Sequence, residues 1–145
     1  MLTRLLVATV AGGVTFFVLG FLLYGLVLDP MVMKPNMNPD ALKLMNEPPM
    51  WIPLVLANFV SAFLLAYIFD KWAGIRTFRG GLEGGAIVWF LISLSFQLMF
   101  LAFMKMSNNY TPAIADVVGS IAMGAIGGGV IGLVLGTMNK GAASE

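Results

Sequence analysis

Four apolar runs organise this chain, at about 5–28, 51–69, 82–104 and 113–138. Each is close to or above the roughly 20 residues a helix needs to cross about 30 Å of hydrocarbon. Charges or helix breakers bound every run: Asp29-Pro30, Pro48-Pro49, Asp70-Lys71, and the stretch from Lys105 to Pro112. Lipid offers backbone groups no hydrogen-bond partners, so spans of this composition must be helices. The pattern predicts an all-α polytopic membrane protein. Its single transmembrane domain covers residues 1–145, with four spans in an antiparallel bundle. Arg4 ahead of the first run gives it some likeness to a secretory signal. Its length, and the placing of Ala8, Ala11, Gly12 and Gly13 at its start, fit a retained anchor instead.

An even number of spans puts both termini on one side. That side carries Arg4, Lys71, Arg76, Arg79 and Lys140, against Lys34, Lys43 and Lys105 on the other. The positive-inside rule therefore predicts cytoplasmic termini, in the inner (plasma) membrane of the cell. The one substantial loop, Asp29 to Met50, is then extracytoplasmic. Within it Asn38 to Met45 reads as a short helix, with Asn38 as N-cap, Pro39 at the first position and Asp40 at the positive end of the dipole. Trp51, Tyr110 and Trp72 fall where interfacial aromatics belong, and Gly141 to Glu145 reads as a short frayed tail.

The last run has a second pattern. Ser120, Gly124, Gly128, Gly132 and Gly136 recur at every fourth position. On a helix they stack along one face, leaving it almost bare for roughly 24 Å. Glycine weakens a helix in water, but in lipid it lets another backbone approach closely. The third run opens with a smaller patch of the same kind, Gly80, Gly81, Gly84 and Gly85. These are predicted helix-packing faces, made for other transmembrane helices of the same or another chain.

Composition then removes whole classes of function. Of 145 residues 59% are hydrophobic and 10% charged, and the net charge of +1 gives no basic surface for nucleic acid. The absence of cysteine excludes disulfides, iron–sulfur clusters and thiol catalysis. The absence of histidine removes the usual haem ligand, the commonest zinc ligand and the best proton shuttle near neutral pH. No cofactor is expected, and lipid is the medium.

Few polar residues remain inside the spans. Asp116, about one turn into the fourth, is the chief candidate, because an ionisable group within a span is by default a functional hypothesis. Its plainer role is that of a carboxylate favoured by a helix N-terminus. With Gln97 and Asn58 it forms a possible polar path, while Ser93, Ser95, Ser61 and Thr15 are expected to bond between helices. Glu83 is placed to pair with Arg79 four residues away, or with Arg76 or Lys71, locking the cytoplasmic turn. The glycines around it lack the Gly-Lys-Ser/Thr ending of a phosphate loop. Asn36 to Glu47 matches a calcium loop poorly, having Ala41 where glycine is needed. Asn109-Tyr110-Thr111 is a glycosylation sequon only in a eukaryote. The eleven methionines look dispersed and serve as packing.

Gly20-Phe-Leu-Leu-Tyr24-Gly25, then Ala73-Gly-Ile-Arg-Thr77, Gly81-Leu-Glu83-Gly-Gly85 and Trp89, together with the glycine-rich last helix, carry a resemblance over most of the chain. The sequence resembles an uncharacterised bacterial family of small four-helix membrane proteins, a domain of unknown function. The resemblance implies the four-span topology and assigns no site.

The function expected from these features is non-enzymatic. It is a structural or accessory subunit packing through its glycine faces in a homo- or hetero-oligomeric membrane complex. The alternative is a small oligomeric transporter or channel with a polar path near Asp116 and Gln97. An enzyme acting on lipid is disfavoured, because acid–base chemistry would fall to Asp116 or Glu83 alone.

Overall fold

The computed structural model describes the backbone of residues 1–142 and the side chains of residues 1–139. The tail beyond 142, and the side chain of Lys140, lie outside the described residues. Four helices are long and apolar enough to cross a membrane: α1 (Leu2–Asn36), α3 (Trp51–Ala73), α4 (Phe78–Phe103) and α5 (Thr111–Ala142). The single turn α2 (Pro39–Leu42) sits in the first loop, with Asn38 as its cap accepting from the Asp40 N–H. It is shorter than the helix expected to reach Met45.

α1 departs from expectation. Asp29-Pro30 does not end it; the helix runs on to Asn36, and from Phe21 to Met33 it is wound as a π-helix. Proline breaks an α-helix because it lacks an N–H and its ring strikes the carbonyl one turn back. In the wider π turn that carbonyl is displaced, so Pro30 is accommodated. The last two turns project beyond the apolar stretch, where Lys34 pairs with Glu47. A second π segment, Phe69–Ala73, closes α3. Gly74 then takes a left-handed φ of 62°, a conformation other residues avoid, and lets the Ile75 N–H reach the Phe69 carbonyl at 3.0 Å. Thr77 caps α4 by accepting from the Gly80 N–H, and Asn109 caps α5 by accepting from the Thr111 N–H.

The spans lie in the spatial order α3–α1–α5–α4, so each packed pair is antiparallel. α3 packs on α1, α1 on α5, and the closest and longest seam joins α5 to α4. At that seam the glycine faces meet each other within one chain. A Cβ on Gly81 would fall on the Gly128 carbonyl, one on Gly85 on the Gly124 carbonyl, and one on Gly132 on the Thr77 carbonyl. Gly136 is covered by the Arg76 carbonyl and Gly124 by Trp89. Gly80 and Gly84 turn instead toward Ile75, with Thr77 beside the first and Phe69 beside the second, and Ser120 takes a polar role described below.

The remaining core, Phe16, Leu65, Phe69, Ile131 and Leu135, fills the angle between α1, α3 and α5. α1 enters it through small residues of its own. Ala8 is buried, Gly12 lies under Ile131 and Ala62, and Gly13 lies under Phe59. Val10, Val14, Leu56, Val60, Leu91 and Leu98 are exposed around the outside. In water that surface would be an aggregation liability; in a bilayer it is solvated.

Candidate functional site

Two polar clusters tie the helices together, one at each end. At the end shared by the termini, Asp70 on the π-wound close of α3 is buried, its side chain 1% exposed. Arg4 of α1 approaches Asp70 Oδ1 to 2.6 Å, and Arg76 of the α3–α4 link approaches the same oxygen to 3.1 Å. Both are ion pairs in which the N–H direction falls short of an aligned hydrogen bond. Arg4 also donates to Asn139 near the end of α5, at 3.0 Å. Two guanidiniums on one carboxylate thus join α1, α3, the link and α5. Asp70 was expected only to mark the end of a span.

The pairings expected of Glu83 are partly redistributed by this arrangement. Glu83 takes Arg79 at 3.1 Å, one helical turn away and largely exposed. Arg76 goes to Asp70, and Lys71 lies at the Met1 sulfur rather than at an acid. The buried carboxylate outcompetes the exposed one because Asp70 has lost its water and Glu83 has not.

At the other end, Asp116 on the second turn of α5 gathers three donors from two other spans. The Tyr24 hydroxyl, on the π-wound part of α1, lies 3.0 Å from Oδ1. Ser93 Oγ and Gln97 Nε2, one turn apart on α4, donate to Oδ2 at 2.9 and 2.8 Å. The Tyr24 hydroxyl is also within 3.1 Å of Ser120 Oγ. Four-residue spacing explains both pairs, since 93 and 97 share one face of α4 and 116 and 120 one face of α5. A carboxylate offers about four lone-pair directions, so these donors leave one on Oδ1. Among the described residues Asp116 has no cation within ion-pair distance, in contrast to Asp70.

Asp116 and Gln97 form the floor of a cavity of about 460 Å³ between α4, α5 and the 104–110 segment. Backbone pairing of the first loop with that segment braces its outer side. The Asn38 N–H reaches the Met106 carbonyl at 2.9 Å, and the Asn108 N–H reaches the Asn36 carbonyl at 3.2 Å. Met104, Lys105, Asn108 and Asn109 stand exposed at the rim. Met33, Met37, Met104 and Met106, far apart in sequence, line the same space. The methionines are therefore less dispersed than their sequence positions indicate, because the end of α1 is carried across to the 104–110 segment.

Asn58 does not join Asp116 and Gln97. Its amide donates to the Leu54 carbonyl on its own helix, at 2.8 Å. It lines a separate cavity of about 510 Å³ where α3 splays from α1, with Asp29 and Lys34 at one end. Tyr24 lines that second cavity too, so it stands between the two spaces. The expected trio is thus a pair plus an outlier, and the pair is joined by Tyr24, which had no role on the sequence alone. Nothing local to Tyr24 signals its task, because the packing of α1 on α5 is what brings its hydroxyl to Asp116 and Ser120.

Tyr24, Ser93, Gln97, Asp116 and Ser120 all fall within residues 7–136, which match a family described as a protein of unknown function (DUF1761). No curated protein and no solved structure matches the chain. The match takes in most of every span, in keeping with the resemblance carried by Tyr24-Gly25 and Gly81–Gly85, and the chain belongs to this uncharacterised family.

Proposed function

We propose that the chain is a small solute-binding membrane protein of the carrier or channel type. Asp116 is its binding group, Tyr24, Ser93 and Gln97 hold that group in place, and the cavity above is the route in. One observation carries the reading: a carboxylate inside a span, with no cation at ion-pair distance among the described residues, on the floor of a space large enough for a small solute. A carboxylate needed only to pin helices together is better served by a sealed site, such as Asp70 and its two arginines. The excess of Lys and Arg at the end of the termini sets that end in the cytoplasm of an inner membrane, so the cavity faces outward. The action is non-enzymatic, since one carboxylate without histidine, cysteine or a second acid offers no acid–base pair.

The packing-subunit reading rested on bare glycine faces in search of a partner. Those faces are already filled by Gly81, Gly85 and the 76–77 backbone of the same chain, so its motive is weakened. Oligomerisation belongs to the proposal for another reason: four spans of this length seldom enclose a complete pathway. Other transmembrane helices, with lipid, remain the proposed partners.

The test is a thermal-shift panel on the purified chain in mild detergent, with ammonium compounds, neutral polyols, amino acids, alkali cations and Ag⁺ as separate arms. At least one solute should stabilise the wild type and fail on Asp116→Asn. Equal shifts on both proteins across the panel, or none at all, overturn the reading.

A further inference from the structure

The walls of the Asp116 cavity carry more information than its floor. Phe100 and part-buried Met33 and Met37 line it, with Tyr110, Met104 and Met106 more exposed toward its mouth. Rings and thioethers are both polarisable and apolar. A ring face attracts a cation through its quadrupole, and a thioether adapts to irregular shapes. The floor supplies a negative charge with one lone-pair direction open and no counter-ion among the described residues. Small inorganic cations such as Na⁺ call for several oxygen ligands around the ion, whereas oxygens here are gathered on the floor and rim with apolar wall between them. A volume of about 460 Å³ is that of a small organic molecule. Lys105, the one cation lining the cavity among the described residues, stands exposed at the rim, where water and salt screen it from the floor.

We infer that the ligand of this cavity is a lipophilic organic monocation, an ammonium with an apolar body. Its charge lies over Asp116 and its apolar part lies against Phe100, Tyr110 and the four methionines. This rests on the reading of Asp116 as a binding group and goes beyond it in naming the chemical class. Asp116 is only part-buried, so the attraction of its charge is helped by ring and thioether contacts around the ligand rather than carried by the charge alone. Tyr24, Ser93 and Gln97 already fix the carboxylate, so the site needs little rearrangement to accept the ligand.

The experiment is isothermal titration calorimetry of the full chain in detergent micelles with benzyltrimethylammonium. Benzyl alcohol and phenylacetate serve as neutral and anionic aromatic comparators. Benzyltrimethylammonium should bind, and both comparators should bind at least about tenfold more weakly. Asp116→Asn should weaken the cation by at least about tenfold while still accepting from Ser93 and Gln97 through its amide oxygen. Ala113→Phe, which fills the cavity and leaves the charge, should abolish binding as a second, independent variant. Equal binding of benzyl alcohol, or full cation binding by both variants, overturns the inference. If benzyltrimethylammonium fails while Ag⁺, an alkali cation, a polyol or an amino acid shows Asp116-dependent stabilisation, the organic-cation class is wrong and the binding site stands. If every solute fails, both are wrong.

Discussion

Tyr24 and Asp116 lie 92 residues apart in the chain, and the tyrosine hydroxyl stands 3.0 Å from a carboxylate oxygen of the aspartate. The contact ties the π-wound half of α1 to the head of α5. It also puts a single side chain between two cavities. Tyr24→Phe removes that hydroxyl and little else. The variant is expected to fold, with a stability loss of about 1 kcal/mol in detergent unfolding, the ordinary worth of one such bond. A loss several times larger would mean that the hydroxyl holds the outer half of α1 in place.

The α4–α5 seam makes a sharper distinction among glycines. At Gly128 even a methyl group would strike the Gly81 carbonyl and Gly85 Cα, both backbone. Gly128→Ala is expected to cost about 1–3 kcal/mol and to lower accumulation in membranes. Gly20→Ala, whose Cβ would meet only the tip of Met123 at 3.8 Å, is expected to be neutral or mildly stabilising. Melting temperatures of the two variants, measured side by side, check the contrast.

Asp70 is the opposite case from Asp116, a buried charge with two arginines on one of its oxygens. Asp70→Asn leaves the Arg4 and Arg76 guanidiniums facing one another without an anion. A loss of about 3 kcal/mol or more is expected in equilibrium unfolding. Arg4→Gln and Arg76→Gln should each cost less, because the other arginine stays on the carboxylate. At the exposed pair, Glu83→Gln should leave the melting temperature unchanged within error.

The spans and the bare face of α5 were legible in the chain because both are periodic properties: hydropathy over some 20 residues, and glycine at every fourth place. What that face meets is not a local property. Gly81 and Gly85 were visible as a second patch, yet nothing in their spacing says that the two patches close on each other rather than on a neighbouring molecule. Asp29-Pro30 signalled a helix end that the chain avoids by widening its turns, a solution without a sequence signature. Asp70 looked like a mere boundary residue and Tyr24 carried no role, because each finds its partners on other helices. Asp116 stood out from the start, since any carboxylate inside an apolar run does. Its separation from Asn58 depended on how α3 splays from α1, which only packing decides.

A binding role for Asp116 requires that water and solute reach it from the loop side. The chain has no cysteine, so one placed at Ala113, on the cavity wall one turn before Asp116, is the sole target for a membrane-impermeant thiol reagent applied to sealed vesicles from that side. Ala113→Cys should be modified at a rate near that of the exposed rim variant Asn108→Cys, while Ala66→Cys, at a fully buried core position, should stay unmodified. If the cysteine at 113 proves as inert as the one at 66, Asp116 is a sealed pin between helices and the proposed site does not exist.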